Sequence, residues 1–154
     1  MRRVFTIAGV IVLAAACAGG IRPSYSPMPE ALSDTVTAAP GAVVEAIVTQ
    51  LAAEGMRIEW QSAAEGYVQT QWFDLVSRQS GTFDRGRIEQ FVRLRFFVDP
   101  VGTDRAAIFA EAVSLRGVDP SRLERDLELM LPRGHAGHEI VSRVMRQVAQ
   151  SFGG

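Results

Sequence analysis

The sequence predicts an α+β fold, a single two-layer domain, on three observations. An amphipathic helical stretch begins near residue 40, segments of period two fill residues 56–115, and a second amphipathic helical stretch closes the chain. Apolar residues spaced at i, i+3, i+4 and i+7 mark one face of a helix, whereas strict alternation marks a half-buried strand. Strands joined by short connections pair as antiparallel neighbours. The order helix, three or four antiparallel strands, helix then lets both helices cover one face of one sheet.

The chain opens with Arg2 and Arg3, continues through an uncharged run from Val4 to Leu13, and passes through Ala14-Ala15-Ala16 to Cys17. A basic start, a short apolar centre and a small-residue exit are the parts of a secretory signal peptide. The run is too short for a membrane-spanning helix, which needs about 20 apolar residues. Its close on the only cysteine of the chain resembles the lipobox of bacterial lipoproteins, in which cleavage falls just before a Cys that carries lipid. That resemblance implies a signal peptide over residues 1–16 and a palmitate-bearing, acylated Cys17. Ala18 after the Cys, in place of Asp, implies sorting to the outer membrane. The alternative is a secreted protein cut near Ala16 or Ala18 with a bare thiol. Residues 17–39 are rich in Pro, Gly and Ser and are expected to be a tether, since they offer little apolar surface to offset ordering. A free coil of that length spans roughly 26 Å on average, and an extended one about 70 Å.

The folded domain is expected over residues 40–154. In the first helix, residues 40–54, Val44, Ile47, Val48 and Leu51 form the stripe, Pro40 suits the first turn and Gly55 the stop. Residues 56–61 alternate as a strand, 62–66 suit a hairpin turn, and 67–74 give a second strand. That strand should place Val68, Thr70 and Trp72 on one face and Tyr67, Gln69, Gln71 and Phe73 on the other. Residues 77–87, polar and holding Gly81 and Gly86, read as a long loop. In the strand at 88–99, Val92, Leu94, Phe96 and Val98 face one way and Phe91, Arg93, Arg95 and Phe97 the other. Asp99-Pro100-Val101-Gly102 marks a turn, and residues 106–115 complete the meander. Asp119-Pro120-Ser121 is expected to cap a short helical turn running to about Met130. The last helix, 138–151, buries Ile140, Val141, Val144, Met145 and Val148.

Composition excludes several chemistries. All 16 basic residues are Arg, and the chain has neither Lys nor Asn. Schiff-base and P-loop chemistry both require the lysine amine. One cysteine permits no internal disulfide and no thiolate zinc site. Without residues 1–16 the chain carries 14 Arg against 17 acidic residues, a net charge of −3, which is no footprint for nucleic acid.

With these segments in place, "VVEAIVTQLAAEGMRIEWQSAAEGYVQTQWFD", a loop and "RIEQFVRLRFFVD", preceded by a lipobox-like leader and a Pro-rich stretch, resemble the helix-grip domains of BamC-like lipoproteins. That family comprises accessory subunits of the outer-membrane β-barrel assembly machinery and relatives of unknown function. The resemblance covers about residues 40–115 and rests on a leading helix, the strand Gly66-Tyr67-Val68-Gln69-Thr70-Gln71-Trp72 and the Arg-rich strand Arg93-Leu94-Arg95. It implies a helix-grip layout and a periplasm-facing, non-enzymatic protein-binding role. The family commonly carries two such domains after a long unstructured segment, whereas this chain has one.

The candidate binding surface is the outward sheet face, with Tyr67 and Phe73 on one strand beside Phe91, Arg93, Arg95 and Phe97 on another. Aromatic residues beside Arg are enriched at protein interfaces; alternatively the Arg stems lie across the rings and shield them. Phe83 in the 77–87 loop is a second candidate contact, and Trp60 and Trp72 read as core. His135 and His138, with Glu128 or Glu139, are the one arrangement suggesting a metal, but Gly137 between them favours a surface loop, so no metal and no cofactor are expected. No Ser stands in a nucleophile elbow and no carboxylate pair is singled out, so an enzyme is not expected. The rival reading is a small-ligand or lipid carrier, with an apolar pocket lined by Ile58, Trp72, Val92 and Leu94.

Overall fold

The computed structural model describes residues 21–81 and 83–153. The expected signal peptide and Cys17 lie outside the described residues. The described chain is an α+β domain with an eight-stranded antiparallel sheet and three helices among the described residues. The central strands run in the order β1 (Leu32–Val36), β7 (Arg105–Leu115), β6 (Phe91–Val101), β3 (Tyr67–Thr70) and β2 (Ile58–Ser62). A small hairpin of β4 (Phe73–Asp74) and β5 (Gln79–Ser80) attaches to β6, and β8 (Glu128–Met130) attaches to β7.

The helices α1 (Pro40–Ala53) and α3 (Ala136–Ser151) lie on one face, as the periodicity predicts. Their residues Val44, Ile47, Leu51, Ile140, Val141, Val144, Met145 and Val148 share one core with Val68, Val92, Leu94, Phe96 and Val98 of the sheet. Val43 joins the α1 stripe while Val48 is only partly buried, a shift of the apolar stripe by a fraction of a turn. Each side chain of this size removed from water contributes about 1.5–3 kcal/mol.

Several boundaries differ from expectation. The strand expected to cross residues 67–74 breaks after Thr70, so Phe73 joins Val92 in the helix-side core while Trp72 falls on the opposite face. Alternation across the break fails because two residues without ladder partners reset the parity. Residues 77–87 are not all loop, since β5 pairs with β4 there, and Arg78 takes φ 59° in the turn between them. β6 continues through Asp99-Pro100-Val101, the expected turn, and the chain reverses at residues 102–104. Pro100 is tolerated because β3 ends opposite Phe97, so no neighbour on that side needs its missing N–H. The helical turn after Asp119 is confined to α2 (Glu124–Leu127), and residues 128–130 pair with β7 instead. Asp119 does not cap α2, whose N-cap Leu123 offers no side-chain bond; it closes a local turn, accepting from the Ser121 amide at 2.9 Å and from its hydroxyl at 2.6 Å.

The largest departure is at the amino-terminal side. The tether expected over residues 17–39 is not free in its described part: β1 pairs with β7 along residues 32–36, and residues 22–28 pack across the sheet. Arg22 donates from its amide to Glu65 Oε2 at 2.6 Å and from its guanidinium to the Glu65 carbonyl at 3.0 Å. The same guanidinium pairs with Asp99 at 2.7 Å and sits 5.5 Å from the Phe97 ring centre. Composition alone favoured a tether because Pro and Ser dominate; a handful of anchors, Arg22, Tyr25, Met28, Leu32 and Val36, offsets the ordering entropy.

Candidate functional site

The face of the sheet turned away from α1 and α3 carries five of the six residues singled out for binding, and it is covered. Tyr67, Phe91, Arg93, Arg95 and Phe97 are all buried, and so is Phe73 on the helix side. The exposed aromatic–arginine face expected of these six residues is therefore not present. Two return segments cover it: residues 22–28, and the stretch carrying α2 and β8. Phe83 lies with its ring centre 5.2 Å from both Trp72 and Phe91, partly buried where an exposed contact was expected.

Under this cover runs a connected polar layer. Arg95, 3% exposed, donates through both terminal nitrogens to Glu128 at 2.5 Å each and through Nε to Gln69 Oε1 at 2.6 Å. Gln69 also accepts from the Tyr67 hydroxyl at 2.8 Å and donates to Glu59 at 2.7 Å. Glu111, directly opposite Arg95 in the β6–β7 ladder, takes a two-pronged contact from Arg125 at 2.6 and 2.8 Å and accepts the Met28 amide at 2.6 Å. Tyr25 lies between the cations, its ring centre 4.4 Å from the Arg125 guanidinium and 5.8 Å from that of Arg95, and meets Phe97 edge-on at 6.3 Å. Arg93 pairs with Glu59 at 3.1 Å and with Glu124, and rests 4.3 Å over Trp72.

The electrostatics follow from this pairing. Burial alone would raise the Glu128 carboxyl, but the hydrogen bonds and charge of Arg95, then Arg125, hold it below the usual carboxylate range. Burial opposes the charge of Arg95 too, and Glu128 overrides it, so that guanidinium's proton is held more tightly than usual. Burial, with a further contribution from Tyr25, pushes the Tyr67 phenol well above its ordinary value, so it stays a donor. Each of these buried charges is met by at least one of opposite sign: Arg93 by Glu59, Arg95 by Glu128 and Arg125 by Glu111. The layer acts as a spacer that fixes the second face of the sheet.

His135 caps α3, accepting the Gly137 amide on Nδ1 at 3.1 Å, and His138 sits in the first helical turn 3.2 Å from the Ser142 hydroxyl. The surface loop expected at Gly137 is instead helix. Gly137 is required there by close packing: a Cβ would stand 2.6 Å from Leu131 and 2.8 Å from Val92. The nearest carboxylate contact of His138 is Glu139 at 4.0 Å, and no metal-ligating cluster occurs among the described residues.

The residue that sequence reasoning misplaced most is Trp60. Expected in the core, it is 52% exposed on β2, the last strand on its side of the sheet. A bulge sets both Glu59 and Trp60 against Gln69, which turns the indole out of the helix-side layer. Beside it opens a shallow cleft lined by Glu59, Gln71, Trp72, Gly81 and Arg93. The Arg93 Nε is buried with no hydrogen-bond partner among the described residues. Among the described residues, β2, Trp60 and this cleft bring together an unpaired strand edge, a large exposed ring and a partly satisfied guanidinium.

This geometry defines an α+β domain with a buried polar layer and an open antiparallel sheet that ends on β1 at one side and on β2 at the other. No family model matches the chain, and no curated protein matches it.

Proposed function

We infer that this chain is a lipid-anchored, periplasm-facing envelope lipoprotein that serves as a non-enzymatic protein-binding accessory, with outer-membrane protein assembly as the setting its BamC-like resemblance suggests. The leader ending in Cys17 supports the anchoring: stable attachment takes at least two lipid signals, which a multiply acylated amino terminus supplies. The helix-grip layout of that family is part of the same reading, supported by two helices on one face of an antiparallel sheet.

The observation that carries the binding role is the half-exposed Trp60 on the edge strand β2. An unpaired edge is a template for an added strand, and Trp is the residue type most enriched among interface hot spots. The partner contact is thereby moved from the covered sheet face to its edge. The carrier reading loses its pocket: Val92 and Leu94 are packed with no exposure in the helix-side core, while Trp72 belongs to the opposite face.

A photo-crosslinking amino acid in place of Trp60, in cells, is expected to capture a defined envelope protein that the same group at the exposed Arg146 on α3 does not. Capture from Arg146 alone, or from neither position, would sink the edge-binding role. Palmitate labelling of the parent, lost in Cys17→Ala, tests the anchor.

A further inference from the structure

We propose that Asp34 guards the free edge of β1, and that without its carboxylate this strand pairs with the same strand of a second copy of the chain. The guard lies on the opposite side of the sheet from Trp60, so the inference stands independently of the binding role given to β2.

Strand pairing shows what this edge offers. β7 turns the backbone groups of its even-numbered residues toward the side that β1 and β8 share. There the Ala112 carbonyl accepts from the Leu131 amide at 2.8 Å, and the Arg116 amide donates to the Leu127 carbonyl at 2.9 Å. Leu32 stands opposite Ala110, Asp34 opposite Ile108 and Val36 opposite Ala106, so these three residues bond inward to β7. The backbone groups of Ser33 and Thr35 are left on the free edge, a row that can template a further strand. Asp34 intercepts it: its carboxylate accepts from the Thr35 amide at 2.7 Å.

The side chain is out of place for any other purpose. Leu32, Asp34 and Val36 share the helix-side face, since their partners Ala110, Ile108 and Ala106 belong to that core. Val36 is buried and Leu32 packs against the core, but the position between them carries an exposed charge where alternation predicts an apolar residue. The cleft beside Asp34, lined by Val36, Ala149 and Phe152, holds no basic side chain. It also includes the carboxyl end of α3, whose partial negative charge repels a carboxylate. An inward-pointing charge on an edge strand is a known way to block edge-to-edge pairing. On β2 the one charge, Glu59, is instead engaged by Gln69 and Arg93.

A second copy is the partner this edge would otherwise fit. The antiparallel register that uses all five residues of β1 has its two-fold axis at residue 34. Ser33 then bonds with Thr35 of the second copy, and Leu32 meets Val36 of the second copy on the helix-side face. Those contacts are favourable. Asp34, however, stands directly opposite Asp34 of the second copy, with Cβ atoms about 5 Å apart, and like charges so placed are destabilising. Sliding the strands by two residues separates the carboxylates but takes two residues of each strand out of the ladder.

The test produces two differently tagged copies of the full chain together in cells, one of them with a photo-crosslinking amino acid at Ser33. The parent, and Asp34→Arg, which keeps like charges opposed, are expected to give no more mixed-tag adduct than the same group placed at the exposed Arg146. Asp34→Val and Asp34→Thr are expected to raise that adduct about tenfold or more. Adding Thr35→Pro, which removes an outward amide that an edge strand can lose, should return it to the parent level. Adduct in the parent equal to that in Asp34→Val, no rise in either uncharged variant, or a rise that survives Thr35→Pro would overturn the guard. So would loss of the folded chain in both uncharged variants, since Asp34 would then hold the fold and not protect its edge.

Discussion

Arg95 and Glu128 show what a single pair does in this fold. Both are buried, and each has the other as its principal partner. Removing one leaves the other with only its more distant partner, Glu111 at 3.7 Å for Arg95 or Arg125 at 3.3 Å for Glu128, and breaking a buried pair in this way typically costs about 3–5 kcal/mol. Glu128→Ala is therefore expected to lower stability to chemical denaturation by about that amount. The double variant Arg95→Met, Glu128→Leu should lose clearly less than the two single changes summed, because it leaves neither charge stranded. Acid should act through the same group. Glu128 has its folded value depressed below its ordinary 4.5, so its contribution is complete above that pH and is lost as pH falls through the depressed value. Thermal melts are expected to drop progressively below about pH 4.5, with a shallower drop in Glu128→Gln; an equal drop in both would assign acid lability elsewhere. Arg93 and Arg95 were visible in the sequence as alternating with Leu94, but their burial was not. The one hint was Glu111, the lone charge within residues 106–115, which the turn at residues 102–104 sets opposite Arg95.

At the scale of elements, two tight contacts decide how the pieces meet. Gly66 turns β2 into β3 with φ +62°, and a Cβ there would stand 2.0 Å from the Val98 carbonyl oxygen. Gly66→Ala must displace β6 or open the hairpin, so a loss of 2 kcal/mol or more, of the order expected for backbone strain compounded by a clash, should appear in denaturant unfolding. The segment carrying Tyr25 and Met28 is the second contact. Tyr25→Ala removes the ring between Arg95 and Arg125 and the edge contact with Phe97, at an expected cost of about 1–3 kcal/mol. Faster proteolysis within residues 21–31 should accompany it, since that stretch would lose its central anchor; an unchanged cleavage rate would mean Arg22 and Met28 hold the segment without the ring. Helices α1 and α3 were legible because a sustained 3.6-residue stripe needs no knowledge of distant residues. β8 and the short α2 were not, since three or four residues carry no period and form only because β7 and Glu111 are already in place.

For the molecule as a whole, β6 and β7 are the centre: they share the longest ladder, and each has further strands on its other side. Hydrogen exchange is expected to leave their amides protected longest, while the two-residue β4–β5 pairing opens first. The sequence by itself determined the α+β class and the helix-covered face of the sheet, because these depend on local period. Only the tertiary structure decided that the second face is sealed, that residues 22–39 belong to the domain and that Trp60 points outward. Each of those depends on which distant segments share a neighbourhood. A Pro- and Ser-rich stretch looks like a tether until Glu65, Asp99 and Glu111 are brought within hydrogen-bond reach of it.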